Sequence, residues 1–270
     1  GSTSREASRE ELSRLFQASG NIHYEITPVI KADLIDLDMN NIIDYFRKYR
    51  AINMGNFTEE ERKNILVNSE ILTEYEDRAV PTVAGMILFG KKPKKYLPQV
   101  GLRAMVVAGD DLADNVLDHK FFERDIFNNL ENTLEYIKLR INNGFTIKNK
   151  AKREDIVDYP IKVLRELLVN ALAHRDYSIS GANIALVIYN NRVEIKSPGS
   201  IPNTLTIDKI RQGIMYHRNP LLIQFLYDAG YVERLGRGVR NSIEEMRKFN
   251  GTDIDISTDQ AETIFTIFKG

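Results

Sequence analysis

The run IKVLRELLVNALAH, residues 161–174, is apolar on nearly every side of a helical wheel. A helix of that kind is stable only when other elements surround it, so it must lie inside a layered core rather than on a surface. Leu164, Leu168 and Leu172 share one side, while Val163 and Leu167 flank Glu166 and Asn170 on the other. Glu166 and Asn170 are four residues apart and therefore project together. A carboxylate and a carboxamide on such a helix are predicted to face a pocket rather than open water. A carboxylate held there can act as general base on a water molecule. An amide oxygen one turn further on suits Mg²⁺, which takes oxygen ligands and retains waters. E-x-x-x-N also occurs by chance on many surface helices, so the spacing alone assigns neither role.

The chain has 270 residues, 43% hydrophobic and 28% charged, which is ordinary for a globular protein with a sizeable core. A formal net charge of -1 offers no global basic field for nucleic acid or anionic membrane. The absence of cysteine excludes disulfides, thiolate metal sites and a cysteine nucleophile, and fits a cytoplasmic protein. No apolar run approaches the length of a membrane span, and no signal peptide opens the chain. The abrupt start at Gly1-Ser2 suggests a piece of something longer.

Along the chain, SREELSRLFQ (8–17) carries a capping-box helix start, and HYEITPV (23–29) alternates like a short strand. DMNNIIDYFRKYRAI and TEEERKNILV read as amphipathic helices, the second capped by Thr58 with Glu61. QVGLRAMVVAG reads as a strand, and residues 118–144 as one long helix closed by Gly144. A polar stretch around 147–160 is the candidate boundary. It divides the chain into a short upstream tail with a first helix (1–20), an α/β region (21–150) and a second α/β unit (151–270). Within the last, NIALVIYNNRVEIKS is a hairpin turning at Asn190-Asn191, followed by two short helices (206–215 and 220–229). A glycine-rich entry then leads into a further helix, and AETIFTIFK closes the chain as a strand. The predicted fold class is mixed α/β, a sandwich with helices packed on one face of a mixed sheet.

Two motifs mislead. AGMILFGKKPKK places Gly85, Gly90 and Lys91 at P-loop spacing, but the four intervening positions are bulky and apolar, and Lys92 stands where a hydroxyl should. The stretch instead reads as a buried helix with Thr82 as N-cap, Gly90 at C′ and Pro93 just beyond. HRD at 174–176 resembles a kinase catalytic loop, yet Gly181 stands where that motif needs Asn, and no D-F-G triplet exists.

Later glycines fit Glu166 and Asn170 better. Gly199 follows a strand in SPG, where backbone can approach a planar ligand, and Gly236 and Gly238 precede a helix whose N terminus can receive phosphate. In this order the elements resemble the N, G1 and G2 boxes of histidine-kinase-like (GHKL, Bergerat-type) ATPases. The resemblance is nearer still to a RecG-related branch of transcriptional regulators, whose members carry E-x-x-x-N-A-x-x-H-R-D-Y, S-P-G, R-N-P and G-x-G. Here these are Glu166, Asn170-Ala171, His174-Arg175-Asp176-Tyr177, Ser197-Pro198-Gly199, Arg218-Asn219-Pro220 and Gly236-Arg237-Gly238. GSTSREAS looks like the tail of a Schlafen/AlbA-type DNA-binding domain.

The resemblance implies an ATP site. Glu166 would polarise the attacking water, Asn170 would hold Mg²⁺, Gly199 would line the adenine side, and Gly236 and Gly238 would cradle phosphates. Residues 200–234 would form a lid, and His174 is a further site candidate; from charge alone, Arg218 or Arg237 could meet the γ-phosphate. Ser197 stands where the wider superfamily has Asp, a departure that bears on which nucleotide is read. It also implies DNA contact through regions outside this chain, and a homodimer is compatible with it. Two other readings stay open: a winged-helix-like DNA-binding module with ERLGRGVR as wing tip, and a GHKL scaffold without catalysis.

Overall fold

Alternating apolar residues in the strands and the all-round apolar run at 161–174 dictate two layers, a sheet with helices laid on it. A computed structural model describes residues 23–141, 158–202, 205–214, 216–233 and 236–270. The 8–17 helix, Gly144 and most of the 147–160 boundary lie outside the described residues.

The first elements are α1 (Met39–Arg50), α2 (Glu59–Asn68), the hairpin β1 (Leu72–Tyr75) and β2 (Arg78–Pro81), and α3 (Val83–Phe89). Next come β3 (Leu102–Val107), β4 (Val116–Phe122), α4 (Ile126–Ile141) and α5 (Ile161–His174). The chain ends with β5 (Ile184–Ile188), β6 (Arg192–Pro198), α6 (Ile207–Arg211), α7 (Pro220–Asp228), α8 (Gly238–Asn250), β7 (Ile254–Thr258) and β8 (Glu262–Phe268). Six strands form one sheet in the order β4-β3-β5-β6-β8-β7. Only β3 and β5 run parallel, with Leu102 opposite Ile184. That pairing joins strands from both sides of residue 150, and one apolar cluster runs from Val29 to Ile267. Met105, Val107, Val187 and Tyr189 form a small second cluster.

Most local signals act as read. The Thr58–Glu61 capping box opens α2, and Asp38, which the sequence reading did not single out, caps α1. The near-P-loop is α3, with all seven residues buried and the Thr82 side chain accepting the Gly85 N–H. Gly90 ends it in an extended conformation (φ −65°, ψ 132°) rather than a left-handed one. Its glycine requirement is one of space, since a Cβ there would lie 2.5 Å from the Met86 carbonyl oxygen.

Two expectations are overturned. HYEITPV is not a strand. Tyr24–Ile26 forms a 3₁₀ turn, which the Thr27 hydroxyl closes by donating to the Tyr24 carbonyl at 2.7 Å. The long helix does not begin at 118 either: residues 116–122 form β4, paired antiparallel with β3. Asp125 supplies the true start of α4, its Oδ1 accepting the Asn128 N–H at 3.0 Å. Helical periodicity over 118–125 yields to the ladder bonds that β3 offers.

That 3₁₀ turn places Glu25 in the core, 1% exposed, with its two oxygens accepting the N–H groups of Leu221 and Leu222 at the start of α7. Burial pushes its carboxyl up to about 7, outweighing the two helix N–H bonds, and the like charge of Glu70 adds to the rise. A folded-state value above the ordinary 4.5 means that stability is full below that pH and is lost as pH rises through about 7. Relative to Glu25→Gln, the native chain is therefore expected to lose on the order of 3 kcal/mol between pH 5 and 8. Urea denaturation of both proteins across that range measures it, and a pH-independent difference would refute it.

Candidate functional site

The cavity lies at the C-terminal half of α5, where Glu166, Asn170 and His174 occupy one face. Ser197 and Gly199 line it from the end of β6, Thr263 and Phe265 from β8, and Gly236, Gly238 and Val239 from the entry to α8. Residues of the 200–233 segment, among them Ile201, His217, Arg218 and Glu233, close the remaining side. Arg237 is not among the lining residues; its side chain is exposed.

The Asn170 amide nitrogen donates to the Glu166 carbonyl at 2.7 Å and to Glu166 Oε1 at 2.9 Å. Its nitrogen thus committed, Asn170 has its oxygen left for a ligand. Burial raises the Glu166 carboxyl above the usual carboxylate range, and the nearby charge of Glu233 adds to the rise, against the Asn170 bond. A more basic carboxylate in a partly desolvated place is suited to accepting a proton. Gly238, the first residue of α8, touches it: a Cβ at Gly238 would sit 1.6 Å from Glu166 Oε1. Arg237, the N-cap, supplies no side-chain cap, so the N terminus of α8 meets the carboxylate through backbone alone. Gly236 adopts the left-handed region (φ 63°) that this tight entry requires.

At the other end, Ser197 Oγ donates to the Ala171 carbonyl at 2.9 Å, and Thr263 Oγ1 donates to the Gly199 carbonyl at 2.9 Å. Ser197 and Thr263 are directly opposite in the β6–β8 ladder. Having spent its proton on a backbone oxygen, the Ser197 hydroxyl faces a ligand as an acceptor. Gly199 holds φ 109°, and a Cβ on it would lie 2.6 Å from both Arg218 Nη1 and the Asp176 Cβ.

His174 stacks against His217, ring centroids 6.0 Å apart, linking α5 to the 200–233 segment. Burial, with His217 and Arg218 close by, pushes His174 down to about 4, so it is neutral at physiological pH. Arg218 donates to the carbonyls of His174 at 3.3 Å and Ser200 at 2.6 Å. Asn219 donates to those of Ala173 and Arg175 at 2.9 and 2.8 Å. The R-N-P residues therefore tie down the carbonyl end of α5. Arg175 is fully buried, giving N–H bonds to the carbonyls of Asp176, Ile179 and Ala182, so HRD is a packing element.

The described residues of 220–240 include α7, a turn and the start of α8, with no strand among them; Arg234 and Leu235 of ERLGRGVR lie outside the described residues. Sequence reasoning missed Thr263, Phe265, His217 and Glu233. The alternation in AETIFTIFK identifies a strand and its faces but not the strand it pairs with, so nothing in it points to Ser197.

Residues 181–267, about a third of the chain, match the family described as "Putative ATP-dependent DNA helicase recG C-terminal". The matched segment is thus similar to an ATPase-like domain; it holds Ser197 through Gly238 and Thr263, and begins after Glu166 and Asn170. The DIP2311 protein from Corynebacterium diphtheriae has a similar fold, with a TM-score of 0.67 at 19% identity over 98% of this chain. The chain spans 50% of that structure's length. No curated protein matches it. Among the described residues, no helix is long and apolar enough to cross a membrane.

Gly199→Ala is expected to cost about 1–3 kcal/mol, from both its positive φ and the crowding at Asp176 and Arg218. Gly181→Ala, where nothing lies within 4 Å, should change stability by less than about 0.5 kcal/mol. Equal effects in chemical denaturation would contradict this account of the Gly199 turn.

Proposed function

We propose that this cavity binds ATP with Mg²⁺ and that Glu166 activates water for hydrolysis. The observation that carries the reading is the contact of the Glu166 carboxylate with Gly238 at the N terminus of α8, whose N-cap residue Arg237 makes no side-chain cap. That places a base beside a natural seat for phosphate. Ser197, an acceptor toward the ligand, suits the amino group of adenine, and Val169, Ile223 and Phe265 offer apolar contact to the ring. Among the described residues no group of three or more metal-ligating side chains converges, which fits an ion held mainly by phosphates and water with Asn170 as its protein ligand. Bound there, Mg²⁺ would offset phosphate charge. Glu166 would take a proton from water as its oxygen attacks the γ-phosphorus and ADP departs.

We assign the site to the 151–270 unit, with 21–150 contributing to the same sheet. The match to the RecG C-terminal family and the motif resemblance support placing it in a DNA-associated transcriptional regulator of the cytoplasm, with DNA contact made outside this chain. One observation favours a second reading, a nucleotide-binding scaffold without turnover. Arg218 donates to the backbone carbonyls of His174 and Ser200, and the exposed Arg237 is not among the residues lining the cavity.

Millimolar ATP with Mg²⁺ is expected to raise the melting temperature, with about 2.7 kcal/mol of stabilisation at a hundredfold excess over Kd. Glu166→Ala should keep that shift and abolish phosphate release. No shift with ATP or ADP would remove the proposal. A shift without phosphate release from the native chain would select the scaffold.

A further inference from the structure

β4 is the terminal strand of the six-stranded sheet, and among the described residues nothing pairs with its outer edge. Natural proteins usually blunt such edges, because a free row of N–H and C=O groups templates another strand. Here the edge carries both: Asp118 and Lys120 are charged and the ladder with β3 is irregular at Leu117, yet Val116, Leu117 and Phe121 are 44%, 52% and 49% exposed, and Leu112 just before them is 50% exposed. Four of the large exposed hydrophobic residues thus fall within ten positions of one another.

The order of residues in β4, VLDHKFF, says what fits there. Read from His119 outward, it is Asp118 and Lys120, then Leu117 and Phe121, then Val116 and Phe122. When a strand pairs antiparallel with its own copy about a twofold axis through one residue, positions equally far from that residue meet. Centred on His119, the pairing sets Asp118 against Lys120 twice, with the two His119 side chains on the axis and the exposed Leu117 and Phe121 to either side of it. Opposite charges directly across a ladder stabilise it.

The intramolecular contacts leave these groups available. Asp118 receives Tyr136 and Arg140 on Oδ2, so Oδ1 can take a second cation. Among the described residues, Lys120 makes a ring contact with Phe122, its Nζ 5.3 Å from the centroid. We propose that β4 is a dimerisation edge, joining two copies of this chain antiparallel about His119 into a continuous twelve-stranded sheet. The proposal is independent of the nucleotide site.

The chain has no cysteine, so His119→Cys introduces a single thiol on the axis. Directly opposed residues bring their Cβ atoms to about 4.5–5.5 Å, close to disulfide range. The purified 270-residue variant, air-oxidised without nucleotide, is expected to run largely as a covalent dimer on a non-reducing gel. Val116→Cys, three residues off the axis and beyond the irregularity at Leu117, should give at least tenfold less. By light scattering the native chain should weigh twice its 31.0 kDa and Phe121→Glu once, with unchanged circular dichroism. A monomeric native chain at tens of micromolar would overturn the proposal. So would a Phe121→Glu dimer, which places the interface elsewhere, or equal trapping of the two cysteine variants.

Discussion

The carbonyl end of α5 is where the molecule is pinned. Helix ends leave unpaired C=O groups that must find donors when buried, and here the donors come from far along the chain. Asn219 takes the carbonyls of Ala173 and Arg175, and Arg218 takes that of His174. Arg175 and Tyr177 then turn back into the core, the Tyr177 hydroxyl donating to the Leu172 carbonyl at 3.0 Å. Remove those bonds and several buried backbone oxygens lose partners together, each costing about 1–3 kcal/mol. The cavity depends on that anchoring because Asn219, which caps α5, also begins α7, and Arg218 beside it lines the far wall.

The anchoring also couples regions distant in sequence. Glu25 holds the N terminus of α7 while Asn219, its N-cap, holds α5, so the first described turn of the chain and the candidate base Glu166 are linked through one short helix. The Tyr45 hydroxyl adds a bond to the Phe225 carbonyl at 2.7 Å from α1. Segments on either side of residue 150 are thus bound by polar contacts as well as by the shared sheet.

Much of the candidate site was legible because its parts are local. Glu166 and Asn170 share a face by helical period alone, and the glycines at 199, 236 and 238 announce turns. The capping residues Thr58 and Thr82 marked their helices for the same reason. Where competing partners decide, local signals failed. HYEITPV alternates but closes on itself as a 3₁₀ turn, and residues 118–122 look helical yet are drawn into a ladder with β3.

Arg218 and Arg237 show the remaining gap. Charge suggested that each could meet phosphate, but a guanidinium goes to whichever acceptors the fold places within reach. For Arg218 these are two backbone carbonyls, and for Arg237 the solvent. The sequence by itself determined that an apolar helix with one polar pair must be enclosed, that a glycine-rich entry must precede a helix, and that the fold is mixed α/β. Tertiary structure alone decided that Thr263 stands beside Ser197, that Gly238 touches Glu166, and that the R-N-P residues cap α5. Those are contacts between residues far apart in the chain, and a periodic pattern carries a residue's face but not its partner.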